Sequence, residues 1–150
     1  MRPLFLILIT CLLLSCDSPV ISPVPSFPVN LELNINHLDS DLVPALAAKS
    51  FTEPRLSTDR LGFGGVLVVN GHGNNGILNL FAFDLACPYE VDRNVIVIPD
   101  DMGKARCPQC GSVYITMWGT GMPEKESVSK YPLRSFAVRQ ERDNVFRVVN

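Results

Sequence analysis

Two short motifs contain the residues of this chain that could hold a metal. The first is Cys87-Pro88-Tyr89 and the second is Cys107-Pro108-Gln109-Cys110, and residues 90–106, 17 in number, separate them. Each motif is predicted to follow a short strand, so that two neighbouring loops would bring the thiols together. Thiolates are ligands of zinc and of iron–sulfur clusters. Cys87, Cys107 and Cys110 are therefore the candidate metal ligands, and Tyr89 is a further candidate.

Short strands separated by turns must position these motifs. Residues 29–35 alternate apolar and polar side chains, which predicts a half-buried strand. Residues 65–69 and 77–86 flank a turn rich in Gly and Asn and predict a hairpin that ends just before Cys87. Further strands are predicted at residues 95–98, 112–116, 133–140 and 145–149. The pattern predicts an all-β antiparallel sandwich or barrel, and residues 41–49 have helical character for a turn or two, limited by Pro44.

The N-terminal segment has the pattern of an export signal. Arg2 precedes an apolar run over residues 4–14, which is shorter than the roughly 20 residues that a membrane-spanning helix needs. The run ends in Leu13-Leu14-Ser15-Cys16, which resembles a bacterial lipobox. We therefore expect a signal peptide at 1–15, a lipid on Cys16, a Pro-rich tether at 16–28 and a domain at 29–150. The last residues of the tether are either free in solvent or packed on the domain. The expected location is the cell envelope, with the lipid anchored in a bacterial membrane and the domain outside the cytoplasm.

Charge and cysteine number restrict the remaining possibilities. Charged residues make up 19% of the chain and its net charge is -2, without a basic stripe, so a nucleic-acid partner is not expected. Of five cysteines, Cys11 would leave with the signal and Cys16 would be lipidated. Three cysteines then remain in the domain, and an odd number does not suit a framework made of disulfides alone.

The second motif continues in a way that resembles one known family. It runs on as Gly111-Ser112-Val113-Tyr114, followed by Gly119-Thr120-Gly121, Pro132-Leu133 and a last strand from Val145. In order and spacing, residues 64–149 resemble the Rieske iron–sulfur domain, which carries C-x-H in one loop and C-x-x-H in the next. The resemblance implies a Rieske-like antiparallel β-sandwich or barrel with two cysteine-bearing loops, with Cys87 and Cys107 on the inner iron. It also implies one-electron transfer to a membrane or envelope partner.

The chain departs from that family at both histidine positions, which are occupied by Tyr89 and Cys110. Three alternatives follow. A [2Fe–2S] cluster could use Cys110 on its second iron with Tyr89, an acidic side chain or water, at a lower potential than a two-His centre has. A zinc ion could instead bind Cys87, Cys107, Cys110 and one oxygen. In the third alternative no metal binds, Cys107 and Cys110 form a disulfide, and the loops are scaffold.

These alternatives separate the function classes. A metal-bound domain predicts an electron carrier or metal-binding protein, and a metal-free domain predicts a structural or interaction module. Thiol–disulfide exchange by Cys107 and Cys110 is weaker, because no helix N-terminus is predicted there to lower a thiol pKa. Catalysis on a substrate is not supported, since no nucleophile–His pair can be named. His72 lies in the hairpin turn at the far end of the strand from Cys87 and is therefore rejected as a ligand. Gly111 is expected to permit the second loop's turn, and the Ser112 hydroxyl or backbone N–H groups are expected to donate to a sulfur.

Overall fold

The computed structural model describes residues 20–73 and 77–150, which form two antiparallel sheets. The predicted signal peptide, Cys16 and the first residues of the tether lie outside the described residues. The strands are β1 Val29–Asn34, β2 Ala48–Phe51, β3 Arg60–Leu61, β4 Val66–Asn70, β5 Leu80–Asp84, β6 Ile98–Pro99, β7 Lys104–Arg106, β8 Val113–Ile115, β9 Met122–Pro123, β10 Ser135–Arg142 and β11 Val145–Val149. One 3-10 turn spans Ser40–Leu42.

The larger sheet has seven strands in the order β2-β4-β5-β10-β11-β1-β3. In β1, the side chains of Leu31 and Leu33 are buried and those between them are half-buried, as the period of two requires for a strand with one core face. Strand β4 is buried along its whole length because it lies between two cores. Val66 and Val68 pack into the first core, and Leu67 and Val69 pack into the second.

The smaller sheet has four strands in the order β6-β7-β8-β9 and carries the second cysteine motif between β7 and β8. The second core lies between this sheet and β4–β5, and it contains Phe83, Leu133 and Tyr114 together with Cys87 and Cys107. The cysteines are therefore part of a packed apolar interior that joins the two sheets.

The all-β antiparallel fold predicted from the pattern of strands and turns is confirmed. The predicted hairpin is formed by β4 and β5, and the predicted C-terminal pair is formed by β10 and β11. Helical character was predicted for residues 41–49, but the structure has only the 3-10 turn Ser40–Leu42 there. The end of that range belongs to strand β2, Ala48–Phe51, which pairs with β4. Tertiary pairing overrides local propensity here. Strands β3, β7 and β9 have only two or three residues each, too few to produce a detectable period.

The end of the Pro-rich segment packs on the domain. The side chain of Val24 is 1% exposed and its carbonyl accepts a hydrogen bond from Arg134 Nε at 2.8 Å. Phe27 stacks near Phe63, and the Phe27 carbonyl accepts a hydrogen bond from Asn150 Nδ2 at 2.9 Å. Of the two arrangements expected for the last tether residues, the structure has the packed one. Across residues 20–73 and 77–150, no helix is long and apolar enough to cross a membrane.

Candidate metal centre

The three cysteines of the domain converge in the structure. The Sγ atoms of Cys87, Cys107 and Cys110 all lie within 4.8 Å of one another, and those of Cys87 and Cys110 are 3.7 Å apart. All three are free thiols, so the disulfide between Cys107 and Cys110 considered from the sequence is not formed. In a tetrahedral zinc site with Zn–S bonds of about 2.3 Å, two sulfurs lie about 3.8 Å apart. The sulfur positions therefore suit a single metal ion.

Backbone hydrogen bonds at the strand ends place the two loops. The Cys87 N–H donates to the Val95 carbonyl at 3.0 Å, next to a bridge between Ala86 and Ile96. The Cys107 N–H donates to the Ser112 carbonyl at 2.9 Å where β7 meets β8. Each cysteine therefore begins its loop at a paired position, which fixes where its side chain enters the core.

Two hydroxyl groups accompany the sulfurs. The Tyr114 hydroxyl lies 3.3 Å from Cys87 Sγ, and the Cys110 thiol donates to Ser112 Oγ at 3.3 Å. Ser112 Oγ also accepts the Ser129 N–H at 3.0 Å, which connects a third segment to the site. The Ser112 hydroxyl lies beside a sulfur as predicted, but it accepts from the Cys110 thiol where it was expected to donate. The contact of Tyr114 was missed, although residues 112 and 114 lie two apart along a strand and so share one face.

The environment shifts the pKa values of Cys107 and Cys110 in opposite directions. Burial raises the pKa of Cys107 to about 12, although the N–H groups of Cys110 and Gln109 oppose this rise. Burial also disfavours a Cys110 thiolate, but the hydroxyl and N–H of Ser112 and the neighbouring thiols outweigh it and lower the Cys110 pKa. Burial raises the pKa of Tyr114, which keeps its phenol protonated. Cys110 therefore ionises more readily than Cys107, and a metal that binds Cys107 must displace the proton of its thiol.

The other side chains considered as ligands lie elsewhere. Tyr89 is 52% exposed, and the tyrosine hydroxyl that contacts a sulfur belongs to Tyr114. His72 packs against Trp118 with 5.2 Å between ring centroids, in keeping with its rejection as a ligand. Within the described residues, the group that could hold a metal ion therefore consists of three thiols.

One polar contact joins the loops outside the sulfur cluster. Gln109 Nε2 donates to Glu90 Oε2 at 3.0 Å, which connects the second loop to the first. Glu90 is half-buried and Gln109 is exposed. The carboxylate of Glu90 is thus held against the side chain of Gln109 in the second loop. Sequence reasoning did not single out this residue.

The buried Tyr114 hydroxyl allows a test of the sulfur environment. We expect Tyr114→Phe to weaken metal binding by about 10-fold, because a hydroxyl that donates to a metal-bound thiolate stabilises its charge. The free energy of unfolding should fall by about 1 kcal/mol, the contribution of one hydrogen bond. Competition with a chromophoric chelator measures the affinity, and Tyr131→Phe is the control because Tyr131 is exposed. Equal affinities for both variants would contradict a role for this hydroxyl.

Comparison with protein-family models, with curated proteins and with solved structures found no match to this chain. Three convergent thiols, two of them buried and one half-buried, can hold a metal ion that prefers sulfur.

Proposed function

We propose that this protein binds one sulfur-preferring metal ion, best suited by zinc, through Cys87, Cys107 and Cys110. The single observation that carries this proposal is the separation of the sulfurs, all of which lie within 4.8 Å of one another. Bound in this way, the ion would connect two loops that are far apart in sequence and would lock one end of the second core. The domain is proposed to be Rieske-like, held at an envelope membrane by a lipid on Cys16.

The sulfur geometry favours a single ion over a binuclear cluster. In a [2Fe–2S] cluster, Cys87 and Cys107 would bind one iron and Cys110 the other, with bridging sulfides between the two metals. Ligands of different irons are further apart than ligands of the same iron, because the sulfides separate the metals. The 3.7 Å between the sulfurs of Cys87 and Cys110 is instead the distance for two ligands of one ion.

A [2Fe–2S] cluster that carries one electron is the second candidate, and the hydroxyl groups favour it. Tyr114 lies beside Cys87 Sγ and Ser112 beside Cys110 Sγ, and hydroxyl groups that donate to the sulfurs of a bound cluster tune its potential. The half-buried Cys110 would place the second iron toward solvent and an electron-transfer partner. When bound, such a cluster would accept and release one electron while these side chains stabilise the charge on its sulfurs.

The end of the tether packs on the domain, which supports a short separation between the domain and the membrane. Among the residues that the structure describes, Val24 is the first that is nearly fully buried against the domain, and it lies eight residues after Cys16. Eight residues of extended chain span at most about 28 Å. If Cys16 carries the lipid, the domain is restricted to that distance from the acyl chains. Palmitate labelling of the exported protein, lost in Cys16→Ala, would test the anchor.

Metal analysis of the protein purified without air tests the proposed function. We expect about one zinc per chain and no visible colour, with three thiols that react only after the metal is removed. A protein with no metal above about 0.1 per chain, even after anaerobic addition of zinc, would refute the proposal. About two irons per chain with a red-brown colour would replace it with the second candidate.

A further inference from the structure

The two cysteine loops adopt the same turn. In each loop, proline follows the cysteine and the fourth residue after the cysteine donates its N–H back to the cysteine carbonyl. This hydrogen bond is 2.9 Å from Val91 to Cys87 and 3.0 Å from Gly111 to Cys107. Both residues have left-handed backbone angles, with φ of 52° for Val91 and 74° for Gly111. The loops thus form a structural repeat, Cys87 to Val91 and Cys107 to Gly111, despite different side chains.

Val91 shows that this turn is imposed on the first loop. Glycine adopts left-handed angles without strain, which explains Gly111, whereas a β-branched residue does so rarely and at a cost. The structure keeps this costly angle at Val91 and so keeps the turn. Positions that correspond in the two loops should therefore direct their side chains alike.

The shared turn separates outward from inward positions. The second residue after each cysteine, Tyr89 in one loop and Gln109 in the other, is exposed. The third residue of the second loop is Cys110, which is half-buried and directs its sulfur to 3.7 Å from Cys87 Sγ. The third residue of the first loop is Glu90, which is also half-buried. Glu90 therefore holds the position in the first loop that a metal ligand holds in the second.

Three thiolates leave one tetrahedral position of a zinc ion open, and a carboxylate oxygen can fill it at about 2.0–2.2 Å. The Glu90 carboxylate already faces the second loop, where it accepts the hydrogen bond from Gln109 Nε2 at 3.0 Å. The carboxylate lies outside the group of ligand atoms within 4.8 Å of one another, so it has to turn from this exposed amide to reach the ion. The turn exchanges one charge-assisted hydrogen bond for a bond to a cation.

The geometry points to Glu90 as the fourth ligand of the metal ion, so that the site is formed by Cys87, Cys107, Cys110 and Glu90. This inference rests on the proposed function and specifies its ligand set. A water molecule is the competing fourth ligand. In that case Glu90 would act only as a clamp between the loops, through Gln109.

Cobalt(II) and zinc titrations of the reduced protein distinguish these roles. Glu90→Gln is expected to weaken zinc binding by about 10–100-fold, whereas Gln109→Ala, which removes the clamp but keeps the carboxylate, should leave it unchanged within about 2-fold. Glu126→Gln is the matched control, since Glu126 is exposed. Glu90→Cys should retain a tetrahedral cobalt spectrum and increase the thiolate-to-cobalt absorption by about one third, as four sulfurs replace three.

The outcomes separate failure of the inference from failure of the proposed function. If the wild-type protein binds neither cobalt nor zinc, the proposed function fails. If the wild-type protein binds metal and Glu90→Gln binds it equally well, Glu90 is not a ligand. Equal weakening by Glu90→Gln and Gln109→Ala would also overturn the inference, because it would assign the effect to the clamp. A Glu90→Cys protein whose thiolate-to-cobalt absorption does not increase would show that the position does not reach the ion.

Discussion

Cys110→Ser is expected to reduce bound metal from about one ion per chain to less than about 0.1 after dialysis against a mild chelator. Cys110 is the thiol with the lowered pKa and the least buried of the three, so its thiolate is available to an incoming ion. A serine hydroxyl does not ionise at neutral pH and binds zinc poorly, which leaves two sulfurs. Metal content by mass spectrometry and the affinity from chelator competition measure the effect.

The fold should survive this substitution, which makes its metal readout interpretable. Cys110 is half-buried, whereas Cys87 and Cys107 are fully buried in the second core, where Cys→Ser also places an extra hydroxyl. The matched control is Gln109→Ser, which introduces the same side chain at an exposed position of the same loop. A Cys110→Ser protein that retains one ion per chain, with an unchanged circular dichroism spectrum, would show that Cys110 is not a ligand.

Asp84→Ala is expected to lower the free energy of unfolding by about 3–5 kcal/mol. The Asp84 side chain is fully buried at the end of β5 and accepts the N–H groups of Phe63, Gly64 and Ala86 at 2.7, 2.9 and 2.9 Å. Alanine would leave three N–H donors without an acceptor, that of Ala86 buried and those of Phe63 and Gly64 partly buried, each at a cost of about 1–3 kcal/mol. Urea denaturation measures the change, and Asp101→Ala at an exposed turn is the control. A loss below about 1 kcal/mol would contradict this role.

The loss of stability caused by Asp84→Ala is expected to depend on pH in a defined direction. Burial raises the pKa of Asp84 above the ordinary value of 3.8, although the three N–H donors and the charge of Arg134 oppose the rise. A carboxyl whose pKa is higher in the folded state binds its proton more tightly there, so its contribution to stability is fully present below pH 3.8 and declines as pH rises through the folded pKa. The stability difference between the wild-type protein and Asp84→Ala should therefore be larger near pH 4 than at pH 7.

Local sequence patterns were sufficient to predict the all-β fold class and the group of three thiols. Alternation in β1, the turn residues between β4 and β5, and the C-terminal pair β10–β11 are short-range features, and short-range features encode strands and hairpins. The spacing of two cysteine motifs after predicted strands likewise identified Cys87, Cys107 and Cys110 as a group. The Rieske resemblance, the signal peptide and the lipid on Cys16 remain predictions.

Long-range packing determined the distances between the site residues and the strand that local patterns did not predict. The approach of Cys110 to Cys87, 23 positions apart in the chain, depends on how the smaller sheet packs on β4 and β5, and neither loop encodes that distance. The same packing turned Tyr89 outward, brought Tyr114 to a sulfur and made residues 48–51 a strand through pairing with β4. The repeat that gives Glu90 and Cys110 corresponding positions in their loops is one of backbone angles and hydrogen bonds, which different side chains can adopt. The sequence motifs thus supply the donor atoms, and the packing of the two sheets determines which of them can reach one ion.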